Sequence, residues 1–172
     1  MKLLKASKNF IATAMLAVVA SPSALAMSKP YDAVAGAIIK DGSPCFYSLV
    51  PLESPPPAYL KDMGVEISVF NQSPRNPGYI WHIWFQNWQR PLPTSSAACI
   101  AYGIKSPDKN PQPAKPLPRN TPLSFAMDGQ YGRQNVRFCI RKNAQGHDFL
   151  STVINQDGVY TCTNTPLKNK PQ

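Results

Sequence analysis

The stretch YIWHIWFQNW, residues 79–88, decides between a helical and a β-strand interpretation of this chain. Four of its aromatic side chains fit the helical spacing i, i+3, i+4, i+7: Trp81, Trp84, Phe85 and Trp88. The stretch is nevertheless aromatic and β-branched, no N-cap precedes it, and Arg90-Pro91-Leu92-Pro93 ends it. We therefore predict a strand with apolar side chains on both faces. One face would hold Tyr79, Trp81, Ile83 and Phe85, and the other Ile80, His82, Trp84 and Trp88.

Working outward from this strand, the chain divides into short extended segments separated by turn residues. About nine strands are predicted, at residues 33–39, 45–50, 65–69, 79–88, 98–104, 123–127, 135–142, 148–154 and 159–163. Asp157-Gly158 is a hairpin signal between the last two. Many short strands without a convincing helix predict an all-β fold, an immunoglobulin-like antiparallel β-sandwich, with a small β-barrel as the alternative.

Proline marks the segments that cannot be regular strands. Residues 105–122 hold six prolines and should form a long exposed loop without regular hydrogen bonding. Ser54-Pro55-Pro56-Pro57 should be polyproline-like. We expect one domain over residues 27–164 and a flexible tail over 165–172.

Residues 1–26 have the pattern of a secretory signal peptide. Three lysines precede an apolar run at residues 10–20, and Ala24-Leu25-Ala26 fits a cleavage site. The run is shorter than the ~20 apolar residues of a transmembrane helix, which disfavours an anchor. The mature chain is therefore expected to be a soluble protein of the periplasm.

An exported chain with four cysteines should carry disulfides, here formed by Cys45, Cys99, Cys139 and Cys162. If the last three strands form a meander, Cys139 and Cys162 lie on its outer strands, about 10 Å apart. A disulfide needs Cα atoms within about 7 Å. We therefore expect Cys139 to pair with Cys45 or Cys99, and Cys162 with the other.

The residues that carry catalysis are scarce. His82 and His147 are the only histidines, and no G-x-S-x-G elbow, metal-ligand cluster or phosphate loop occurs. We therefore predict a non-enzymatic protein without a metal or cofactor.

A binding surface is better indicated than an active site. The net charge is +9, but export makes nucleic acid a poor partner. The cations of the proline-rich loop could instead steer it to an acidic protein: Lys105, Lys109, Lys115 and Arg119. Trp84 and Trp88 are the aromatic candidates for the same role. The alternative is that residues 105–122 are an ordinary exposed loop.

Several short motifs occur in a fixed order along residues 33–142: Pro44-Cys45-Phe46, Ile67-Ser68-Val69, the strand around Trp81, Cys99-Ile100-x-Tyr102-Gly103 and Phe138-Cys139-Ile140. This pattern resembles the small periplasmic immunity proteins paired with effectors of bacterial type VI secretion. The resemblance implies a protein that binds a cognate effector toxin and occludes its active site, and it implies no catalytic residues. We expect a monomer or weak dimer. Alternative functions are a structural or adhesive envelope subunit and a secreted ligand-binding or hydrolytic domain.

Overall fold

A computed structural model describes residues 33–53, 55–60, 62–107, 112–130 and 132–170. The described residues form nine strands: β1 Ala33–Lys40, β2 Ser43–Ser48, β3 Gly64–Asn71, β4 Gly78–Gln86, β5 Ile100–Ala101, β6 Leu123–Gly129, β7 Gly132–Lys142, β8 Asp148–Gln156 and β9 Val159–Pro166. A single 3₁₀ turn at Ala58–Leu60 is the helical element among them. The all-β prediction is confirmed, whereas the predicted signal peptide lies outside the described residues.

The strands build one curled sheet that forms a half-barrel. Its order is β4-β3-β6-β7-β1-β2-β5, and β8 and β9 continue from the far part of β7. The pairs are antiparallel except β1 with β7, which run parallel over two residue pairs. The curl brings β2 over the inner face of β4, β3, β6 and β7.

Aromatic rings from both parts of the curled sheet meet in the core. Phe46 of β2 is fully buried and stacks on Phe125 of β6, with ring centroids 4.1 Å apart. The ring centroid of Phe138 in β7 lies 5.4 Å from that of Phe46, and the ring centroid of Trp81 in β4 lies 6.5 Å from it. Such pairs contribute about 0.5–1.5 kcal/mol each beyond the area they bury. These contacts hold β2 against β4, β6 and β7 and so stabilise the curvature of the sheet.

Residues 79–86 lie in strand β4, as predicted. At the start of the strand, however, two side chains point to the opposite faces from those predicted. Trp81, Ile83 and Phe85 are all buried, so three of the four residues predicted to share a face do share it. At its start the pairing skips Ile80, because Val69 pairs with Trp81 while Phe70 pairs with Tyr79. This β-bulge turns Ile80 inward and leaves Tyr79 exposed, the reverse of the prediction. Trp88 lies in the turn after β4.

The proline-rich loop covers the free edge of β4. The amide N–H of Lys115 donates to the carbonyl oxygen of Ile80 (2.8 Å), and the hydroxyl of Ser106 donates to that of Trp84 (3.3 Å). In return, the indole N–H of Trp81 donates to the carbonyl oxygen of Ile104 (3.1 Å). The loop has no strand within residues 105–107 and 112–122, as expected, yet it is hydrogen-bonded. It thus protects an edge that would otherwise be open to pairing with other chains.

Tyr102 fastens this loop to β4. Its hydroxyl lies 2.6 Å from the carbonyl oxygen of Lys115 and 3.1 Å from that of Ile80. A hydroxyl has one proton to donate, and the shorter distance favours the bond to Lys115. Burial raises the pKa of Tyr102 to about 12, so the phenol keeps that proton at any ordinary pH.

The disulfides join Cys45 to Cys99 and Cys139 to Cys162, so the predicted pairing is wrong. The order β7-β8-β9 holds, but the meander is not flat. The pairing of β7 with β8 ends at Ser151, and the register of β8 with β9 shifts between Ser151 and Val153. Such an irregularity bends and twists a hairpin. The bend brings Cys162 over β7, with Cα atoms 5.8 Å apart.

The C-terminal residues are anchored rather than frayed. The side-chain amide of Asn169 pairs with both backbone groups of Ala37: it accepts from the N–H (2.9 Å) and donates to the carbonyl oxygen (3.0 Å). Leu167 packs against the core, and its N–H donates to Leu150. The described part of the predicted tail, residues 165–170, is thus hydrogen-bonded to the sheet, because β1 offers an unpaired stretch of backbone for Asn169 to bind.

The predicted hairpin between β8 and β9 is confirmed. Asp157 and Gly158 both have positive φ angles, 51° and 82°, which is the backbone conformation of a type I′ turn. The side chain of Asn155 accepts a hydrogen bond from the N–H of Gly158 (3.0 Å).

Candidate protein-binding surface

The three predicted loop cations that the structure describes do not form one cluster. Arg119 makes a bidentate pair with Asp148 at the start of β8, and its Nη2 lies 2.8 Å from Oδ2. Hydrogen bonding to Arg119 holds the pKa of Asp148 below its usual range. Lys115 lies at the beginning of β4 and donates through Nζ to the carbonyl oxygen of Tyr79 (3.2 Å). Lys109 lies outside the described residues.

Lys105 is the described loop cation that lies beside the predicted aromatic residues. Its carbonyl oxygen accepts a hydrogen bond from Nη2 of Arg90 (3.2 Å), and the next residue, Ser106, is bonded to Trp84. The structure therefore brings Lys105 to the end of β4 that carries Trp84 and Trp88, and leaves Lys115 and Arg119 elsewhere.

An exposed apolar cluster occupies this end of the sheet. We call it the aromatic corner and define it by five residues: Tyr59, Met63, Trp84, Trp88 and Arg90. The first four are among the most exposed large hydrophobic residues, with 72%, 49%, 39% and 57% of their surface accessible. Exposed apolar side chains gathered in one place mark interaction surfaces, whereas scattered ones are ordinary.

Asn87 holds the two halves of the aromatic corner together. It is only 2% exposed, and its Nδ2 donates to the carbonyl oxygen of Leu60 in the 3₁₀ turn (2.8 Å). Its backbone N–H donates to the carbonyl oxygen of Met63 (3.0 Å). These bonds tie the 3₁₀ turn and Met63 to the turn that follows β4, and so bring Tyr59 and Met63 to the end of the strand that carries Trp88.

Trp84 is held by close packing. Its indole lies directly on the backbone of Gly64 at the start of β3, where a Cβ atom would overlap the ring. The absence of a side chain at Gly64 therefore lets an aromatic ring lie flat on the sheet and keep its other face in solvent.

A cavity of about 580 Å³ adjoins the aromatic corner. Its lining consists of Pro55, Pro56, Asn87, Trp88, Gln89, Arg90, Pro91 and Leu92. Arg90 lies over the ring of Phe85, with its guanidinium carbon 5.7 Å from the ring centroid. A partly apolar cavity next to exposed aromatic side chains and an oriented cation is suited to receive a side chain from another protein.

The sequence alone did not reveal three of the corner residues. Tyr59 and Met63 become part of the surface only through hydrogen bonds to Asn87, which lies more than twenty positions along the chain. Arg90 belongs to the segment Arg90-Pro91-Leu92-Pro93, which in the sequence indicates only the end of a strand. The sequence contains one indication that Tyr59 could be a surface contact: it is a large aromatic residue outside every predicted strand.

Among the described residues, no three or more His, Cys, Asp or Glu side chains are grouped so that they could hold a metal ion. All four cysteines are in disulfides, which indicates an oxidising, exported environment. In the part of the chain that the structure describes, no helix has the length and apolar character needed to cross a membrane.

Comparison of the chain with models of protein families, with curated proteins and with solved structures found no match.

Proposed function

We propose that this chain is a periplasmic immunity protein that binds a secreted antibacterial toxin through the aromatic corner and occludes the toxin's active site. The observation that carries the proposal is the exposed corner itself. Tryptophan, tyrosine, methionine and arginine are the residue types enriched at protein interfaces and at their energetic hot spots. The order of the short motifs along the chain supports the choice of an immunity protein.

The corner is also built to bind without much loss of entropy. Asn87 fixes the turn that carries Tyr59, and the backbone of Gly64 seats the Trp84 indole. A surface that is already ordered before binding loses less conformational freedom in the complex. Arg90 and Lys105 add positive charge at its border, which favours association with an acidic toxin.

The proposal is tested by expressing the chain together with the product of a neighbouring toxin gene. We expect a stoichiometric complex and protection of cells that direct the toxin to their periplasm. Trp88→Ala should weaken the complex by about 30-fold or more, as for an interface hot spot. The matched control is Val159→Ala, since Val159 is similarly exposed, at 50%, on the distant β8-β9 hairpin. Neutralisation that survives both Trp88→Ala and Trp84→Ala would contradict the role of the corner.

One observation favours a second candidate, a structural or adhesive envelope subunit. Among the described strands, β9 pairs with β8 alone and so leaves its other edge available for a strand from another subunit. Self-assembly of the purified protein into filaments, abolished by Tyr160→Pro on the free edge of β9, would support this candidate over an immunity protein.

A further inference from the structure

The outer face of the sheet carries a second feature, a groove that runs across the strands. The register of β4, β3, β6 and β7 aligns the outward side chains in three transverse rows. The first row is Trp84, Glu66, Asp128 and Arg133; the second is His82, Ser68, Ala126 and Asn135; the third is Tyr79, Phe70, Ser124 and Arg137. Four strands span about 14 Å in this direction.

Small side chains form the floor of this transverse groove. Ser68 and Ala126 lie at the centre of the middle row, with Ser124 beside them, and larger side chains flank them. The groove has a volume of about 270 Å³. Ser68 is 8% exposed, and its hydroxyl has no hydrogen-bond partner among the described residues. A nearly buried hydroxyl without a partner is a group that a ligand can satisfy.

The charges of the groove are paired at one side and unpaired at the other. Arg133 lies 2.7 Å from the carboxylate of Asp128 within the first row, and Nε2 of His82 in the second row lies 3.2 Å from the carboxylate of Glu66 in the first. Arg137, in the third row, faces no carboxylate within the described ranges. Its guanidinium lies over the ring of Tyr160, 4.7 Å from the centroid.

Stacking on Tyr160 occupies a face of the Arg137 guanidinium, and its N–H edge has no hydrogen-bond partner among the residues that the structure describes. That planar edge matches a carboxylate, which accepts two parallel hydrogen bonds from it. Stacking also fixes the orientation of the side chain, so less freedom is lost on binding. The hydroxyl of Ser124, directly opposite Arg137 in the register, and the amide of Asn135 are further donors at the same end.

We propose that the transverse groove binds the carboxylate side chain of an acidic residue on the protein partner, with Arg137 as the anion-binding residue. The inference rests on the proposed function and adds a second contact to it. Glu66 lines the groove and lies directly opposite Trp84 in the register, so one partner surface can reach both. Its volume is below the roughly 300–1,000 Å³ of small-molecule sites, which favours a single side chain over a free metabolite.

The test uses the purified, disulfide-intact protein and blocked peptides in an NMR titration, so it requires no toxin. The probe is acetyl-Gly-Glu-Gly-amide, and the matched control is the same peptide with glutamine. We expect saturable shifts of the amide signals of Ser68, Ser124 and Asn135 and of the Nε–Hε signal of Arg137. The glutamine peptide should bind about tenfold more weakly or worse, since it cannot form the charged pair.

Two substitutions of Arg137 and one control sharpen the test. Arg137→Gln should abolish the shifts, Arg137→Lys should retain only part of the affinity, and Lys40→Gln, at an exposed cation at the end of β1, should change nothing. Equal binding of the glutamate and glutamine peptides, or unchanged binding by Arg137→Gln, would overturn the proposal. Tighter binding of N-acetylmuramic acid than of the glutamate peptide, with the same signals shifted, would overturn it in favour of an acidic saccharide. Because the toxin is absent, these outcomes are separate from any failure of the proposed neutralisation.

Discussion

The proline-rich loop and the aromatic corner are adjacent surfaces, and both carry residues that the sequence marks as candidates for binding. In the described part of the loop, two of the predicted cations are used within the fold: Arg119 pairs with Asp148, and Lys115 caps the edge of β4. In the corner, Trp84 and Trp88 leave much of their apolar surface in solvent. An exposed charge can therefore already be engaged within the fold, whereas an exposed aromatic side chain that is held in place still has apolar surface available for a partner.

Removing the hydrogen bonds that support the aromatic corner should have the largest effect on stability and toxin binding. Asn87→Ala removes the Nδ2 donor and leaves the buried carbonyl oxygen of Leu60 without it. We expect a loss of about 1–3 kcal/mol in the free energy of unfolding and a marked loss of toxin binding, since Tyr59 and Met63 are released. Urea denaturation and calorimetric titration measure the two quantities. The control is Asn76→Ala, in an exposed loop, and equal behaviour of the two variants would show that Asn87 does not organise the corner.

Loosening the loop should have a smaller effect, on stability alone. Tyr102→Phe keeps the ring contact with Trp81 but removes the hydroxyl that holds Lys115. We expect a loss of about 0.5–1.5 kcal/mol in the free energy of unfolding, faster amide exchange at Lys115, and unchanged affinity for the toxin. A large loss of affinity in this variant would mean that the loop, and not only the corner, contacts the partner.

Ionisation of the Tyr102 hydroxyl contributes to the pH dependence of the free energy of unfolding. Its pKa is about 12 in the folded chain against 10.0 for the unperturbed group. The folded state therefore keeps a proton that the unfolded state loses as pH rises from 10 to 12, and stability falls over that interval. Tyr102→Phe should flatten this part of the profile relative to the unmodified chain. A profile of the same steepness in both proteins would contradict the assignment.

The smallest effect should come from the exposed ion pair of the loop. The pKa of Asp148 is lowered, so the pair stabilises the chain above the ordinary carboxyl pKa and that contribution is lost as pH falls through the folded-state value. Arg119→Gln should raise the pKa of Asp148 in a carboxyl NMR titration and change stability at neutral pH only slightly. A strong loss of toxin association at low salt in this variant would show instead that Arg119 is part of the binding surface.

The positions of the strands follow from local sequence, because alternation and turn residues act over a few positions. Asp157-Gly158 identifies its hairpin in this way. Three features depend on contacts that no local pattern contains. The bulge that skips Ile80 is set by pairing with β3, the Cys139–Cys162 bridge by the bend of the last hairpin, and the corner by the reach of Asn87 to Leu60.

Hydrogen exchange of the free protein and of its complex with the toxin tests whether the partner covers the aromatic corner and leaves residues 112–119 of the proline-rich loop as structure. We predict that binding slows exchange in residues 58–60, 62–64 and 84–90, while residues 112–119 exchange at the same rate in both states. Slowed exchange confined to residues 112–119, with the corner unchanged, would contradict it.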